Sequence, residues 1–339
     1  AVRSTCRTVA GVGQKGGESM KIGIAGGGAF GTALGVALAL DGNDIQLWAR
    51  DKAAVSMMQR DRRNLKLPNI TLPDNLSCSS DLAPLFACDT ILIAIPAQTL
   101  PAFLTAHADA LGGKNLVACC KGIDLTLMTG PASTIGDLVS TAVPAMLTGP
   151  SFAADIARGL PTALTLACAD DDQGEILQKA LSTATLRIYR TTDVIGAELG
   201  GALKNVLAIA SGIAMGARLG ESARAALITR GFPEMQRLAL ALGAQPETLS
   251  GLSGFGDLVL TCTSDQSRNY RYGFALGRGD AFDLTTTVEG AATARAVRQL
   301  AGKLNIDMPI CTVVADLTTG KTDVASALNA LLSRPLKEE

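Results

Sequence analysis

Histidine is nearly absent from this sequence, and its cysteines are not spaced as metal ligands. The 339 residues include one histidine, His107, and eight cysteines, of which only Cys119 and Cys120 are close together. A Ser-His-Asp triad or a histidine-rich metal site therefore has almost nothing to build on, and adjacent cysteines fit neither a CxxC metal site nor a redox pair. We interpret the cysteines as small buried side chains in a reducing cytoplasm and expect no bound metal.

The sequence also lacks long apolar runs and any excess of positive charge. Apolar runs such as 91–95 and 206–214 are short, whereas a membrane-spanning helix needs roughly 20 residues. The formal net charge of −1 provides no basic surface for nucleic acid. We therefore expect a cytoplasmic protein without a membrane span or a nucleic-acid partner.

The segment before Met20 carries no apolar stretch of the kind found in secretory signals. Because Met20 is followed at once by a strand-like run, we expect residues 1–19 to be a flexible extension of the folded chain. A transit peptide is the weaker alternative, since the segment is short and rich in glycine.

The remaining length predicts two domains. Short apolar runs alternate with helical patterns up to about residue 190, which predicts an α/β domain at 20–193 built on a doubly wound sheet. Its strands are predicted at 21–25, 44–50, 90–95, 116–119, 145–148 and 162–167. An all-helical domain is predicted at 194–335, with helices at 194–217, 221–243, 246–262, 266–278, 289–304 and 309–333. Pro233 predicts a kink or break in the second of these helices.

A glycine motif follows the first predicted strand. Gly26, Gly28 and Gly31 form GxGxxG between a strand and a helix, the context of the Rossmann dinucleotide fingerprint. In that motif the first glycine makes a tight turn, the second admits the pyrophosphate and the third lets the helix approach the strand. The motif predicts a Rossmann-like domain that binds a nicotinamide dinucleotide.

The end of the second predicted strand bears on the choice of cofactor. An acidic residue at this place usually binds the ribose 2′-hydroxyl of NAD, whereas Arg50 stands here. A guanidinium favours a 2′-phosphate, so NADP(H) is the preferred cofactor. Asp51 follows directly and keeps NAD(H) possible.

Two further segments place polar groups near the expected crevice of the sheet. Lys121 and Gly122 follow a predicted strand, so the ammonium points towards the edge where such sheets bind ligands, unless Lys121 is a surface lysine before a turn. Gly149 and Ser151 precede a helix whose first amides suit an anion, and Ser151 is alternatively only the N-cap of that helix.

Lys204 and Asn205 follow a double glycine on an otherwise apolar helix. Burial would lower the pKa of the lysine, and such a lysine can exchange a proton near neutral pH, as the interconversion of alcohol and ketone requires. A lysine that extends from a core helix to solvent is the alternative.

A polar cluster occupies the run GFGDLVLTCTSDQSRN at 254–269. Asp257 and Thr261 would share one face of a helix, while Arg268 and Asn269 supply groups that bind phosphate oxygens. The cluster favours a small phosphorylated ligand. A capped helix followed by a polar loop would also explain it.

Together these motifs resemble bacterial NAD(P)-dependent glycerol-3-phosphate dehydrogenase. GGGAFG, CKG, GPSFA, GGALKNV, the 254–269 run and VEG occur in that family's order over residues 21 to about 333. The resemblance implies an oxidoreductase acting on a CH-OH group, which reversibly reduces dihydroxyacetone phosphate to sn-glycerol 3-phosphate for phospholipid synthesis. It also implies a homodimer.

The resemblance also implies roles for individual residues. Lys204 would exchange the proton, and Asp257 would orient Lys204 or a substrate hydroxyl. The other substrate-binding residues would be Lys121, Gly149, Ser151, Asn205, Ser267, Arg268 and Asn269. The cofactor would contact the three motif glycines and Ala29, Phe30, Arg50, Lys121, Ala153, Arg268 and Glu289.

Two other functions are compatible with the same residues. A related oxidoreductase could use Arg268 and Asn269 to bind a carboxylate instead of a phosphate. A protein that only senses NAD(P) is disfavoured, because a sensor needs no buried proton donor such as Lys204.

Overall fold

In the computed structural model, residues 20–283 and 286–332 are described, so the predictions for 1–19 and for the last residues of the chain lie outside this range. Eight strands within it form one sheet in the order β3-β2-β1-β4-β5-β6-β7-β8. The strands are β1 Ile22–Ala25, β2 Ile45–Trp48, β3 Leu76–Ser79, β4 Thr90–Ile93, β5 Asn115–Ala118, β6 Val143–Thr148, β7 Thr162–Cys168 and β8 Leu186–Thr191. Neighbouring strands are parallel except β6 and β7.

Helices connect the strands and then make up the rest of the described chain. Those of the sheet region are α1 Ala29–Leu40, α2 Lys52–Asp61, α3 Ala83–Phe86, α4 Leu100–Leu111, α5 Pro131–Leu138, α6 Ala153–Ala157 and α7 Asp171–Leu181. Those that follow are α8 Val194–Gly216, α9 Glu221–Ala241, α10 Pro246–Ser250, α11 Asp257–Cys262, α12 Arg268–Arg278, α13 Glu289–Leu304, α14 Pro309–Thr318 and α15 Val324–Leu332. A 3-10 turn spans Ala97–Thr99 and a π turn spans Leu252–Gly256.

Both faces of the sheet are buried, which explains why its strands are continuously apolar. In β4, Leu92 joins a core cluster with α1 and α2, whereas Ile91 and Ile93 join a second cluster with α4 and α5 on the opposite face. The predicted α/β class, a Rossmann-like doubly wound sheet followed by an all-helical part, is confirmed.

The helical part is organised around α8. This helix has a mean hydropathy of 1.3 and the length to cross a membrane, but 94% of its apolar window is buried inside the protein. Its side chains form a third core cluster with residues of α9, α11, α13 and α14. The composition of α8 is therefore explained by its central place among the other helices.

Three details of the predicted elements were wrong. α9 is not broken at Pro233: the helix runs from Glu221 to Ala241, and Thr229, whose carbonyl loses its amide partner, is exposed to water. The segment 309–333 is not one helix: α14 ends at Thr318, and Gly320 has a φ of +69°. The helix predicted at 246–262 is divided by the π turn. Strands β3 and β8 were not predicted.

Candidate active site

The carboxylate of Asp257 binds two lysine ammonium groups that come from distant parts of the chain. Its Oδ1 lies 2.8 Å from Nζ of Lys204, and its Oδ2 lies 2.6 Å from Nζ of Lys121. The Lys204 ammonium also donates to Oγ1 of Thr261 over 2.7 Å. The side chains of Asp257, Lys204 and Lys121 are 1%, 8% and 13% exposed. The site is thus a nearly buried ionic cluster at the junction of the sheet and the helical part.

Helix α11 contributes Asp257 and Thr261 to this cluster. Asp257 is the first residue of α11, and Thr261 lies one helical turn later on the same face, as the spacing predicted. The Thr261 hydroxyl donates to Asp257 over 3.1 Å while it accepts from Lys204. The three side chains therefore form a closed set of hydrogen bonds that fixes the position of the Lys204 ammonium.

Two glycines let α8 carry Lys204 close to its partners. A Cβ on Gly200 would lie 2.6 Å from the carbonyl oxygen of Ser253 in the π turn. A Cβ on Gly201 would lie 2.7 Å from Oγ1 of Thr148, at the end of β6. The double glycine before Lys204 is therefore required for α8 to pack against both elements.

Burial and neighbouring charges shift the pKa values of Lys204 and Asp257 in opposite directions. Burial lowers the pKa of Lys204 to about 8, although Asp257 acts to raise it. For Asp257, burial alone would raise the pKa, but Lys121 and Lys204 outweigh it and the pKa is lowered. The site thus combines a carboxylate that stays ionised with an ammonium that can release its proton close to neutral pH.

Lys121 follows β5 and reaches the same point from the sheet. Besides Asp257, its Nζ donates to the carbonyl oxygen of Gly149 over 3.2 Å. The Ser151 hydroxyl donates to the same carbonyl over 3.3 Å, and the N-cap of α6 is Phe152. Lys121 is therefore not a free surface lysine, and Ser151 is not the helix cap that the sequence allowed as an alternative.

The glycine motif forms a cradle at the same edge of the sheet. Gly26 has a φ of +128°, and a Cβ there would lie 2.6 Å from the carbonyl oxygen of Ala94. A Cβ on Gly31 would collide with the carbonyl oxygen of Gly26, whereas a Cβ on Gly28 would meet nothing within 4 Å. Gly28 is the N-cap of α1, so its open space lies at a helix N-terminus. This combination of a tight turn, open space and close packing fits a dinucleotide pyrophosphate.

Arg50 and Asp51, which follow β2, differ in their contacts. Arg50 is exposed and forms no hydrogen bond or ion pair with the described residues. The Asp51 carboxylate caps α2 by accepting from the amides of Ala53 and Ala54 over 2.9 and 3.1 Å. Only Arg50 is therefore unengaged at this position.

The polar residues of α12 and the start of α13 lie beside α8. Oδ1 of Asn269 accepts from the amide of Gly290 over 3.0 Å, and a Cβ on Gly290 would lie 2.6 Å from the carbonyl oxygen of Asn205. These contacts hold the first turn of α13 against α8, next to Lys204. Because Oδ1 is occupied by an amide, the Asn269 nitrogen is left as a donor.

Glu289 and Arg268 interact electrostatically at this corner. Burial raises the pKa of Glu289, while the Arg268 guanidinium and, more weakly, Lys121 and Lys204 counter the effect. Arg268 itself is exposed. Ser267 uses its hydroxyl to cap α12 by accepting from the amide of Tyr270 over 3.2 Å. Of the predicted phosphate-binding residues, Arg268 and Asn269 thus have free donors, whereas the Ser267 hydroxyl caps α12.

On the cofactor side, α1 and α6 meet at one cluster. Phe30 and Ala153 are half-buried against the same core, each close to the start of its helix, and Ala29 is the first residue of α1. The structure therefore brings these three residues to the side of the glycine cradle, and their contact with the cofactor stays a prediction.

Two features of the site were not predicted from the sequence. Thr261 was recognised as sharing a face with Asp257, but no contact with Lys204 was predicted. The bond between Lys121 and Asp257 was also missed, because the two residues lie 136 positions apart and no local pattern signals their contact. Among the described residues no three His, Cys, Asp or Glu side chains are grouped as a metal site.

The chain matches known proteins over most of its length. Residues 21–174 and 193–329 match the family models described as NAD-dependent glycerol-3-phosphate dehydrogenase N-terminus and C-terminus. The glycerol-3-phosphate dehydrogenases of Ruegeria sp. and Paracoccus denitrificans, both named as NAD(P)+ enzymes, are 57% and 58% identical. In each case the match covers 94% of this chain and 100% of the relative.

A solved structure shows the same relationship. The crystal structure of glycerol-3-phosphate dehydrogenase from Coxiella burnetii superimposes with a TM-score of 0.88 at 37% identity, over 93% of this chain and 99% of that one. The chain therefore belongs to the NAD(P)-dependent glycerol-3-phosphate dehydrogenases, a family of oxidoreductases.

Proposed function

We propose that this chain reversibly reduces dihydroxyacetone phosphate to sn-glycerol 3-phosphate with NAD(P)H. The observation that carries the proposal is the Asp257 carboxylate bound to both Lys204 and Lys121, at the edge of the sheet that also holds the glycine cradle. The close relatives are named for their action on glycerol 3-phosphate, and the cluster supplies the proton chemistry that ketone reduction needs.

The nicotinamide cofactor supplies the hydride when it is bound. The open space at Gly28 and the N-terminus of α1 would hold its pyrophosphate, with Ala29, Phe30 and Ala153 beside it. Arg50, which has no partner among the described residues, would bind a 2′-phosphate. Since Asp51 is engaged in capping α2, we infer that NADP(H) is preferred over NAD(H).

Lys204 would move the proton. An ammonium has three N–H donors, and those of Lys204 that bond to Asp257 and Thr261 leave one without a partner among the described residues. That donor would bond to the C2 oxygen of the substrate and protonate it as the alkoxide forms. A pKa of about 8 lets the same group accept the proton in the reverse direction.

The remaining polar residues would orient the substrate. Lys121, held by Asp257 and the Gly149 carbonyl, would place a second cation near the reacting oxygen or the terminal hydroxyl. Arg268 and the Asn269 amide nitrogen would bind the phosphate, as a guanidinium and an amide can donate to phosphate oxygens together. Ser151, Asn205 and Ser267 would complete the walls of the substrate pocket, and Glu289 would contact the dinucleotide.

Three broader inferences follow from membership of the family. The division into a dinucleotide-binding domain at 20–193 and a helical substrate-binding domain at 194–335 agrees with the change from sheet to helices between β8 and α8. We also infer a homodimer and a cytoplasmic enzyme whose product serves phospholipid synthesis.

A reductase that acts on a carboxylate-bearing ketone is the alternative to test. The experiment is to follow oxidation of NADPH and of NADH by purified protein with dihydroxyacetone phosphate, and with a 2-oxo acid of equal carbon number. Turnover confined to the phosphate ester supports the proposal, and preferential turnover of the acid contradicts it. A protein that only senses the cofactor would oxidise neither compound beyond the background rate.

A further inference from the structure

A second group of cations lines a cavity of about 420 Å³ between α13 and α14. Arg295, Arg298 and Gln299 reach it from α13, and Thr319 and Lys321 from the end of α14 and the following turn. Ala315 contributes an apolar wall. The cavity thus combines three positive charges and two neutral polar side chains with apolar surface.

The positive charge of the cavity is only partly neutralised by the protein. Arg298 forms an ion pair with Asp316. Arg295 and Lys321 form no side-chain hydrogen bond or ion pair with the described residues, and both are exposed. Arg295 and Arg298 also stand three positions apart on one helix, a spacing at which like charges repel. An anion bound between them would relieve this repulsion.

This cavity is separate from the candidate active site. Glu289, at the first turn of α13, faces Arg268 and the lysine cluster. Arg298 lies nine residues further on, which at 3.6 residues per turn is two and a half turns and thus the opposite face of the helix. No lining residue of the cavity is among those proposed to bind substrate or cofactor.

We propose that the cavity between α13 and α14 binds a small phosphate-bearing anion. The Arg295 guanidinium can bind phosphate oxygens in pairs, Arg298 offers the N–H groups that do not bond to Asp316, and Lys321 adds a point charge from the end of α14. The Gln299 amide can donate a further hydrogen bond. Because the volume exceeds that of a phosphate ion, the organic part of a monoester fits against Ala315.

The test measures binding of inorganic phosphate by titration calorimetry at low ionic strength, on protein carrying Arg268→Gln to weaken the active-site phosphate contacts. We expect saturable binding that becomes at least tenfold weaker when Arg295→Gln and Lys321→Gln are added. The control instead adds Lys179→Gln on α7 and Arg187→Gln on β8, where the same change of charge should leave the affinity unaltered. Circular dichroism checks that all variants are folded.

Three results would overturn the proposal: no saturable binding, binding that is unchanged by the Arg295 and Lys321 substitutions, or an equal loss in the control. An equal loss in the control would show that phosphate affinity depends only on the overall charge of the protein. Because the readout is binding, it does not depend on the reductase activity proposed above.

Discussion

Lys204 and Asp257 lie 53 residues apart in the chain, yet their side chains meet over 2.8 Å in a buried site. The carboxylate raises the lysine pKa against the effect of burial, so that the pKa settles at about 8 and not lower. This pair connects the packing of α8 against α11 to the proposed proton transfer.

Replacing Asp257 by Asn should change both the rate and its pH dependence. As proton donor, Lys204 must be protonated, so the wild-type rate of ketone reduction should fall as the pH rises through about 8. Without the carboxylate the Lys204 pKa falls, and the decline should begin at lower pH, with kcat reduced about 100-fold. Steady-state kinetics across pH test this, with the exposed Asp265→Asn as control. An unchanged pH midpoint in Asp257→Asn would contradict the proposed coupling.

Thr261→Val should reduce kcat about tenfold with a smaller effect on KM, because the hydroxyl positions the Lys204 ammonium and does not itself contact substrate. The buried ammonium also loses an acceptor, so the free energy of unfolding measured in urea should fall by about 1–3 kcal/mol. The matched control is Thr263→Val, since that hydroxyl is exposed and bonds only to the Val259 carbonyl. Equal kinetic effects of the two substitutions would rule out the positioning role.

Gly28→Ala and Gly31→Ala should separate cofactor binding from stability. A methyl group at Gly28 meets no protein atom within 4 Å, so the Tm should be unchanged while the Kd for NADPH rises at least tenfold. At Gly31 the methyl group would collide with the Gly26 carbonyl, so the Tm should fall and the Kd for NADPH should rise. Fluorescence titration and thermal unfolding measure the two effects, with Gly302→Ala as an open-space control on α13. Tight NADPH binding by Gly28→Ala would place the pyrophosphate elsewhere.

Arg50→Ser should raise the KM for NADPH about tenfold and leave the KM for NADH nearly unchanged, because only NADPH carries the 2′-phosphate. The control is Arg60→Ser on α2, where the guanidinium pairs with Asp61. If both cofactors are affected equally, Arg50 does not contribute to cofactor preference.

Local patterns in the sequence account for much of the fold and for parts of the site. The shared face of Asp257 and Thr261 and the burial of Lys204 follow from helical spacing and apolar flanks. By contrast, β3 has only four residues, LSCS, and carries too little apolar pattern to be recognised. In β8, Leu186 and Ile188 do alternate with polar residues, a signal that could have revealed the strand.

Contacts between distant segments could not be predicted from the sequence. The bond of Lys121 to Asp257 depends on how the helical part packs on the sheet, and no spacing rule covers 136 residues. The antiparallel pairing of β6 with β7 likewise depends on how the chain packs and not on a local pattern. At Pro233 a local rule predicted a kink or break, but α9 runs without a break from Glu221 to Ala241.

The role of Lys204 as proton donor is tested by comparing the wild type with Lys204→Ala in the oxidation of NADPH by dihydroxyacetone phosphate, alongside NADPH binding by both proteins. We expect rapid turnover by the wild type and a loss of about 100-fold or more in the variant, with NADPH affinity preserved. Turnover by Lys204→Ala close to the wild-type rate would contradict the assignment of Lys204 as the proton donor.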